Sequence, residues 1–178
     1  MDLVKAARRG RETEFLELFD AHHAPLFKFA YRLTGSADDA EDIVQECFLE
    51  LLRPDSGYDA RRTTVRTYLY GVVRNQWLKR QRRNAWTGEG GEDPEAAGSP
   101  ESELLEGEVQ DAVARAIAEL PPNQREALVL AHYEQMPLAE IASLLEIEVG
   151  AVKSRLERAR ARLRVRLEAF APGQGRTR

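Results

Sequence analysis

PLAEIASLLEIEVGAVKSRLERARARLRVR (137–166) is the stretch whose reading decides the fold. Ile141, Leu144 and Leu145 fall at i, i+3 and i+4, which makes one apolar helix face. The spacing breaks at Glu146 to Glu148 and resumes at Val149, Val152, Leu156, Ala159 and Leu163. Two helices with so tight a break predict a helix-turn-helix, whose second helix lies in the DNA major groove with its N-terminal half against the base edges. Lys153, Ser154, Arg155 and Arg158 are the polar side chains there, able to donate to guanine edges or to phosphates. A basic helix packed on a bundle, its charged face solvated, has the same pattern. The rest of the chain decides between the two.

The length of 178 residues holds one ordinary domain or two small ones. With 43% hydrophobic and 31% charged residues the composition is globular. No apolar run reaches the length of a membrane span, and MDLVKAARRG lacks the apolar core of a signal peptide, so a soluble, cytoplasmic protein is expected. A single cysteine, Cys47, excludes an internal disulfide and any cysteine-based zinc cluster. It sits in the apolar run IVQECFLELL and reads as a buried structural thiol. The net charge of −4 hides a segregation. Residues 84–111 carry nine acids and no Lys or Arg, which leaves 21 acids against 26 bases elsewhere. Two basic regions thus flank one acidic segment, the arrangement of an electrostatically organised binder.

Phe15, Leu18 and Phe19 give a helix face between Arg11 and Asp20. Pro25 suits the first turn of a second helix, with Leu26, Phe29, Ala30 and Leu33 as its stripe and Gly35 as its end. His22 and His23 lie between the stripes, without a further ligand at metal spacing, and read as surface or helix-end residues. Ser36 can cap the next helix, Ala37 to Arg53, which buries Ile43, Val44, Cys47, Phe48, Leu51 and Leu52. Its other face holds Asp38, Asp39, Glu41, Asp42, Glu46 and Glu50 with no cation before Arg53. Like charges at i, i+4 disfavour such a helix by a few tenths of a kcal/mol per pair. Either a basic partner or plain solvation fits that face.

After the loop RPDSGYDARR (53–62), the stretch Arg61 to Arg83 contains no acid. Arg61, Arg62, Arg66, Arg74, Lys79, Arg80, Arg82 and Arg83 alternate there with Tyr68, Tyr70 and Trp77, while Leu69, Val72, Val73 and Leu78 offer a core face. Cations follow phosphates, and aromatic rings stack on unpaired bases at about 1–3 kcal/mol each, so the stretch suits single-stranded DNA. Tyr70 is the aromatic best suited to the core instead. Residues 87–107 are Gly, Pro, Ser and acid, a linker composition. It would span roughly 25 Å as a coil and about 70 Å fully extended.

Order resumes with Val109, Val113, Ala116, Ile117 and Leu120 on a helix from Leu104 to Leu120, broken by Pro121-Pro122. A helix from Gln124 to Glu134 follows, and the helix-turn-helix completes about four helices; PGQGRTR reads as a disordered tail. The expected fold is all-α: two small helical domains, 1–86 and 108–171, joined by the acidic linker 87–107 and followed by the tail 172–178. No nucleophile–base pair, phosphate-cradling loop or metal spacing supports an enzyme or a cofactor, and His132 reads as a structural residue inside an apolar helix.

Three stretches together resemble the extracytoplasmic-function (ECF) sigma factors of bacterial RNA polymerase: RLTGSADDAEDIVQECFLEL (32–51), VRTYLYGVVRN (65–75) and LPPNQREALVLAHYEQMPLAEIASLLEIEVGAVKSRLERARARL (120–163). The resemblance implies a σ2 and a σ4 domain on a flexible linker. It implies that the helix with Asp39, Asp42, Gln45, Glu46 and Leu49 docks on the polymerase clamp coiled-coil, and that σ4 meets the flap. Arg61, Arg62, Arg66, Tyr68, Arg74, Asn75 and Lys79 match the part that engages the −10 element as single strand, Asn75 where the family lines a pocket for a flipped-out base. Unstacking that base costs a few kcal/mol, which the pocket must offset. Lys153, Ser154, Arg155, Arg158 and Arg160 match the helix that reads the −35 element as duplex. The acidic linker is similar to those that thread toward the RNA exit path, and an anti-sigma factor occluding both domains is the implied regulator.

This chain departs from the family pattern at several positions. Tyr68 stands where Trp is common, and Pro137 where Ser or Thr caps the first helix of the motif. Glu146 stands where Gly is usual; a left-handed conformation there would cost a glutamate about 1 kcal/mol. Glu148 and Glu157 bring negative charge toward DNA. The competing reading is a helix-turn-helix regulator that never joins polymerase, for which the acidic helix and the aromatic-basic helix have no use.

Overall fold

Pro25 opens no new helix: α2 runs unbroken from Glu12 to Thr34 with Pro25 inside it, where two helices were expected. A mid-helix proline leaves the carbonyl four residues back without its donor. That residue is Ala21, and both Ala21 and Pro25 are exposed, so water can replace the missing donor. The buried stripe Leu18, Leu26, Phe29, Ala30 and Leu33 crosses the proline and holds both halves on one core. Gly35, at φ 77°, ends the helix and donates its N–H to the Tyr31 carbonyl.

The computed structural model describes residues 3–87 and 104–168 and contains no strand among them, as the all-α expectation requires. Most of the expected linker (88–103) and the tail lie outside the described residues. The chain divides into two units, Met1–Gly91 and Glu92–Arg178. The first holds α1 (Leu3–Arg8), α2, α3 (Ala37–Leu52) and α4 (Val65–Thr87). The second holds α5 (Leu104–Ala118), α6 (Pro122–His132), α7 (Leu138–Leu145) and α8 (Val149–Arg166).

In the first unit, the Ser36 hydroxyl accepts from the Asp39 N–H at 3.2 Å and starts α3, with Asp38 and Asp39 at the positive helix end. Ala40, Ile43, Val44, Cys47, Phe48 and Leu51 are buried against α2 and α4, whereas Leu52 is only half-buried. Each large apolar side chain so buried contributes about 1.5–3 kcal/mol. Helix α1 was not foreseen from sequence. It supplies Arg8, whose Nε donates to the Leu51 carbonyl at 2.9 Å and so caps α3. Burial pushes the Cys47 thiol up to about 12, and its Sγ donates to the Leu69 carbonyl, in keeping with a structural thiol.

In the second unit, Pro122 occupies the first turn of α6, which therefore begins two residues earlier than expected and ends at His132. Val109, expected in the core, is exposed. Arg125 is buried and donates to the Ala118 and Leu120 carbonyls, capping the end of α5; burial lowers its pKa to about 10. Pro137 precedes α7 without a side-chain cap. Glu146 is left-handed (φ 55°, ψ 44°). Its N–H reaches the Ser143 carbonyl and that of Ile147 the Ala142 carbonyl, a Schellman turn usually built on glycine. The turn sets α7 against α8 as the sequence pattern demands.

Candidate nucleic-acid and polymerase interfaces

Val152, Leu156 and Ala159 bury one side of α8. At 100° per residue, the opposite side carries Gly150, Ser154 and Glu157, with Lys153 and Arg158 on its edges, and all five are exposed. The Ser154 hydroxyl donates to the Gly150 carbonyl at 3.1 Å, and Arg158 Nε to the Ser154 carbonyl at 3.1 Å. Both contacts are exposed and local, so they can be exchanged for DNA. Arg155 is placed differently. Its Nη1 donates to Glu126 Oε1 at 2.8 Å, across to α6, and its side chain is only 19% exposed. Arg160, on the other flank, donates to His132 Nε2 at 3.1 Å. His132 is thus an exposed helix-end residue, because the helix stops there, and not the structural core residue expected.

The aromatic-basic stretch sorts itself in the same way. Leu69, Tyr70, Val73 and Trp77 are buried in the core. Burial of Tyr70 was expected; that of Trp77 removes it from the rings able to stack on bases. Val72 and Leu78 are half-buried. Arg66 lies 5.3 Å from the centre of the Tyr70 ring, a cation–π contact. Tyr68 is half-buried, edge-on to Tyr58 at 5.3 Å, and burial raises its pKa. Counting along α4, Tyr68, Asn75, Lys79, Arg82 and Trp86 share the side opposite the core and extend over about 27 Å. Arg74 lies on the flank, with Nη1 3.5 Å from Asn75 Oδ1. In the loop before α4, Arg61 forks onto Asp59 through Nε (3.1 Å) and Nη2 (3.2 Å), which holds the Asp59 carboxyl below its usual range; Arg62 is exposed. Trp86 was missed from sequence. It is 92% exposed, and its signal was its place three and four residues after Arg83 and Arg82.

The acidic face of α3 does have a nearby cation. Arg80 of α4, only 16% exposed, lies 2.6 Å from Asp39, 3.7 Å from Asp42 and 3.6 Å from Glu46. Sequence placed Arg80 in the phosphate-binding row; packing of α4 on α3 turns it to the carboxylates, which five donors on one guanidinium can serve together. The acids keep their outer sides in solvent, with side chains 49–67% exposed. Beside them, Gln45 bonds Glu41 and Leu49 is 66% exposed, an apolar side chain amid charge. On the α2 side, Phe15 and Phe19 pack on Phe48, and His23 Nε2 lies 3.4 Å from Glu41. His22 and His23 are therefore half-buried mid-helix residues, because α2 does not break at Pro25. Burial and the Arg66 charge lower the His22 pKa. Among the described residues no helix is long and apolar enough to cross a membrane.

Comparison with known proteins finds one family match within each unit. The family described as Sigma-70 region 2 matches residues 18–87, and Sigma-70, region 4 matches residues 110–163. The ECF RNA polymerase sigma factor SigL of Mycobacterium tuberculosis is 33% identical over 94% of this chain and 97% of its own length. The ECF factor SigW of Bacillus subtilis is 28% identical over 92% and 94%. Among solved structures, CnrH in complex with the cytosolic domain of CnrY superposes with a TM-score of 0.69 at 25% identity, covering 95% of this chain and 97% of CnrH. The sigma factor RpoE of Bartonella quintana, in complex with the anti-sigma factor NepR, shares the fold at a TM-score of 0.70 and 23% identity, over 89% and 99% of the two chains.

Proposed function

The chain belongs to the ECF sigma factors of RNA polymerase, and on that premise we propose how its own residues divide the work. It directs promoter-specific transcription initiation. A regulator acting without polymerase is not favoured, because the family similarity covers both units and not the helix-turn-helix alone. The first unit is the σ2 domain and the second the σ4 domain; the linker expected at 87–107 is no longer than 88–103, because Thr87 belongs to α4 and Leu104 opens α5. Within σ2, Asp39, Asp42, Gln45, Glu46 and Leu49 of α3 bind the clamp, the carboxylates meeting cations around a central apolar contact. Along α4 and the loop before it, Arg61, Arg62, Arg66, Arg74 and Lys79 follow the backbone of the melted −10 strand, while Tyr68 and Asn75 hold its bases. Within σ4, Lys153, Ser154, Arg155, Arg158 and Arg160 serve the −35 duplex.

The protein acts as a cytoplasmic specificity subunit, without catalysis, cofactor or metal of its own. An anti-sigma factor that occludes both domains is the partner class we extend to it from the relatives. The observation that carries the whole reading is the pairing, in one chain, of an acidic face crested by exposed Leu49 with two exposed basic faces. Run-off transcription with active core polymerase over a promoter library tests it. Transcripts from a defined promoter class are expected, and their absence would remove the reading. Asn75→Ala should weaken open-complex formation more than −35 duplex binding; equal loss in both would end the assignment of Asn75 to the −10 strand.

A further inference from the structure

Arg125 and Glu126, neighbours near the start of α6, are both buried, a placement charged side chains take almost only when paired. Arg125 serves α5. Glu126, 2% exposed, instead reaches α8 and accepts from Arg155 at 2.8 Å. The bond is charge-assisted and crosses between two helices of the same unit, so it resists rotation of α8 about its own axis. At 100° per residue, that rotation decides which side chains face outward. With Arg155 anchored, the outward side is Gly150, Ser154 and Glu157, flanked by Lys153 and Arg158, all exposed. A guanidinium held at 2.8 Å by a buried carboxylate must break that pair to reach a base edge.

We propose that Glu126 and Arg155 are a positioning pair that sets the angle at which α8 presents Lys153, Ser154 and Arg158 to the −35 duplex, and that Arg155 itself reads no base. The proposal rests on the assignment of α8 to the −35 element, and refines it.

The test uses the full chain with core polymerase and a library of duplexes randomised at the −35 positions, read as relative affinity for every sequence and as salt dependence. Arg155→Met keeps the packing stem and removes the charge; Glu126→Gln keeps the shape and removes the partner. Each should lower affinity about tenfold, the scale of coupling within a contacting pair. The loss should be uniform across the library, with sequence ranking and salt slope unchanged. The double variant should lose no more than either single one, and Arg155→Lys should recover part of the loss. Relaxed preference at one position in Arg155→Met alone would overturn the proposal, because Arg155 would then read a base. A salt slope lower by about one would overturn it too, by making Arg155 a phosphate contact. So would wild-type affinity in both variants. If Glu126→Gln does not fold, the ranking and slope of Arg155→Met decide alone. Lys153→Ala and Arg158→Ala separate the two levels: if neither changes ranking or slope, the −35 assignment of α8 itself has failed.

Discussion

Each unit contains an arginine set against carboxylates across two helices, and the two arrangements are inverted in burial. In σ2 the arginine is the inner member: Arg80 is 16% exposed, while Asp39, Asp42 and Glu46 stand half in solvent. In σ4 the acid is the inner member: Glu126 is 2% exposed and Arg155 closes over it. Half-solvated acids keep lone pairs free for a partner, so the first cluster stays open to binding. A buried acid has no such freedom, and the second cluster is consumed by the fold. On the proposed reading, the same pair of functional groups makes a docking surface in one place and a helix anchor in the other.

The comparison breaks most readily at Glu126. Glu126→Ala should destabilise the protein by about 3 kcal/mol, the low end for one partner lost from a buried pair, since Arg155 retains some exposure. Replacing both Glu126 and Arg155 by Met should recover most of that in urea unfolding. Full stability in Glu126→Ala would mean that the acid was not anchoring α8.

Cys47 sharpens the comparison, because it is a buried ionisable group beside a carboxylate, Glu50, where Glu126 has a cation. Its thiol is held neutral, from an ordinary 9.0 up to about 12. The folded protein therefore keeps a proton that the unfolded chain loses above pH 9. This contribution is fully present below pH 9 and is lost progressively as pH rises from about 9 to about 12. At pH 10 the loss should be about 1.4 kcal/mol. Cys47→Ala should flatten the alkaline limb of unfolding free energy against pH; an unchanged limb would place the titration elsewhere.

The smallest effect belongs to Arg80. Arg80→Ala should cost less than about 1 kcal/mol, because half-exposed acids remain hydrated when their cation is removed. The loss should shrink in 1 M salt, where screening acts within about 3 Å. A large, salt-independent loss would make this cluster as much a part of the fold as its σ4 counterpart.

Residue periodicity was enough for the all-α class and the helix-turn-helix, since apolar spacing and break positions are local properties. The family came instead from resemblance, because three separate motif stretches had to occur in order. Capping was legible at Ser36 and Gly35, where one residue type answers one backbone need. Pro25 misled because its local meaning, a helix start, was overridden by one continuous buried stripe. Trp77 and Trp86 carry similar neighbours in sequence, and only the side of α4 on which each falls against α2 and α3 separates a core ring from an exposed one.

Determined by sequence alone were the kind of element at most positions, the charge on each helix and the order of the parts. Tertiary structure alone decided which charges meet. Arg80 and Arg155 read from sequence as two more cations in DNA-binding rows, and packing turned each toward carboxylates more than 25 residues away in the chain. Helical periodicity sets the direction of a side chain relative to its own axis. What waits in that direction depends on the rotation and spacing of helices packed by non-directional apolar burial, and no local pattern records it.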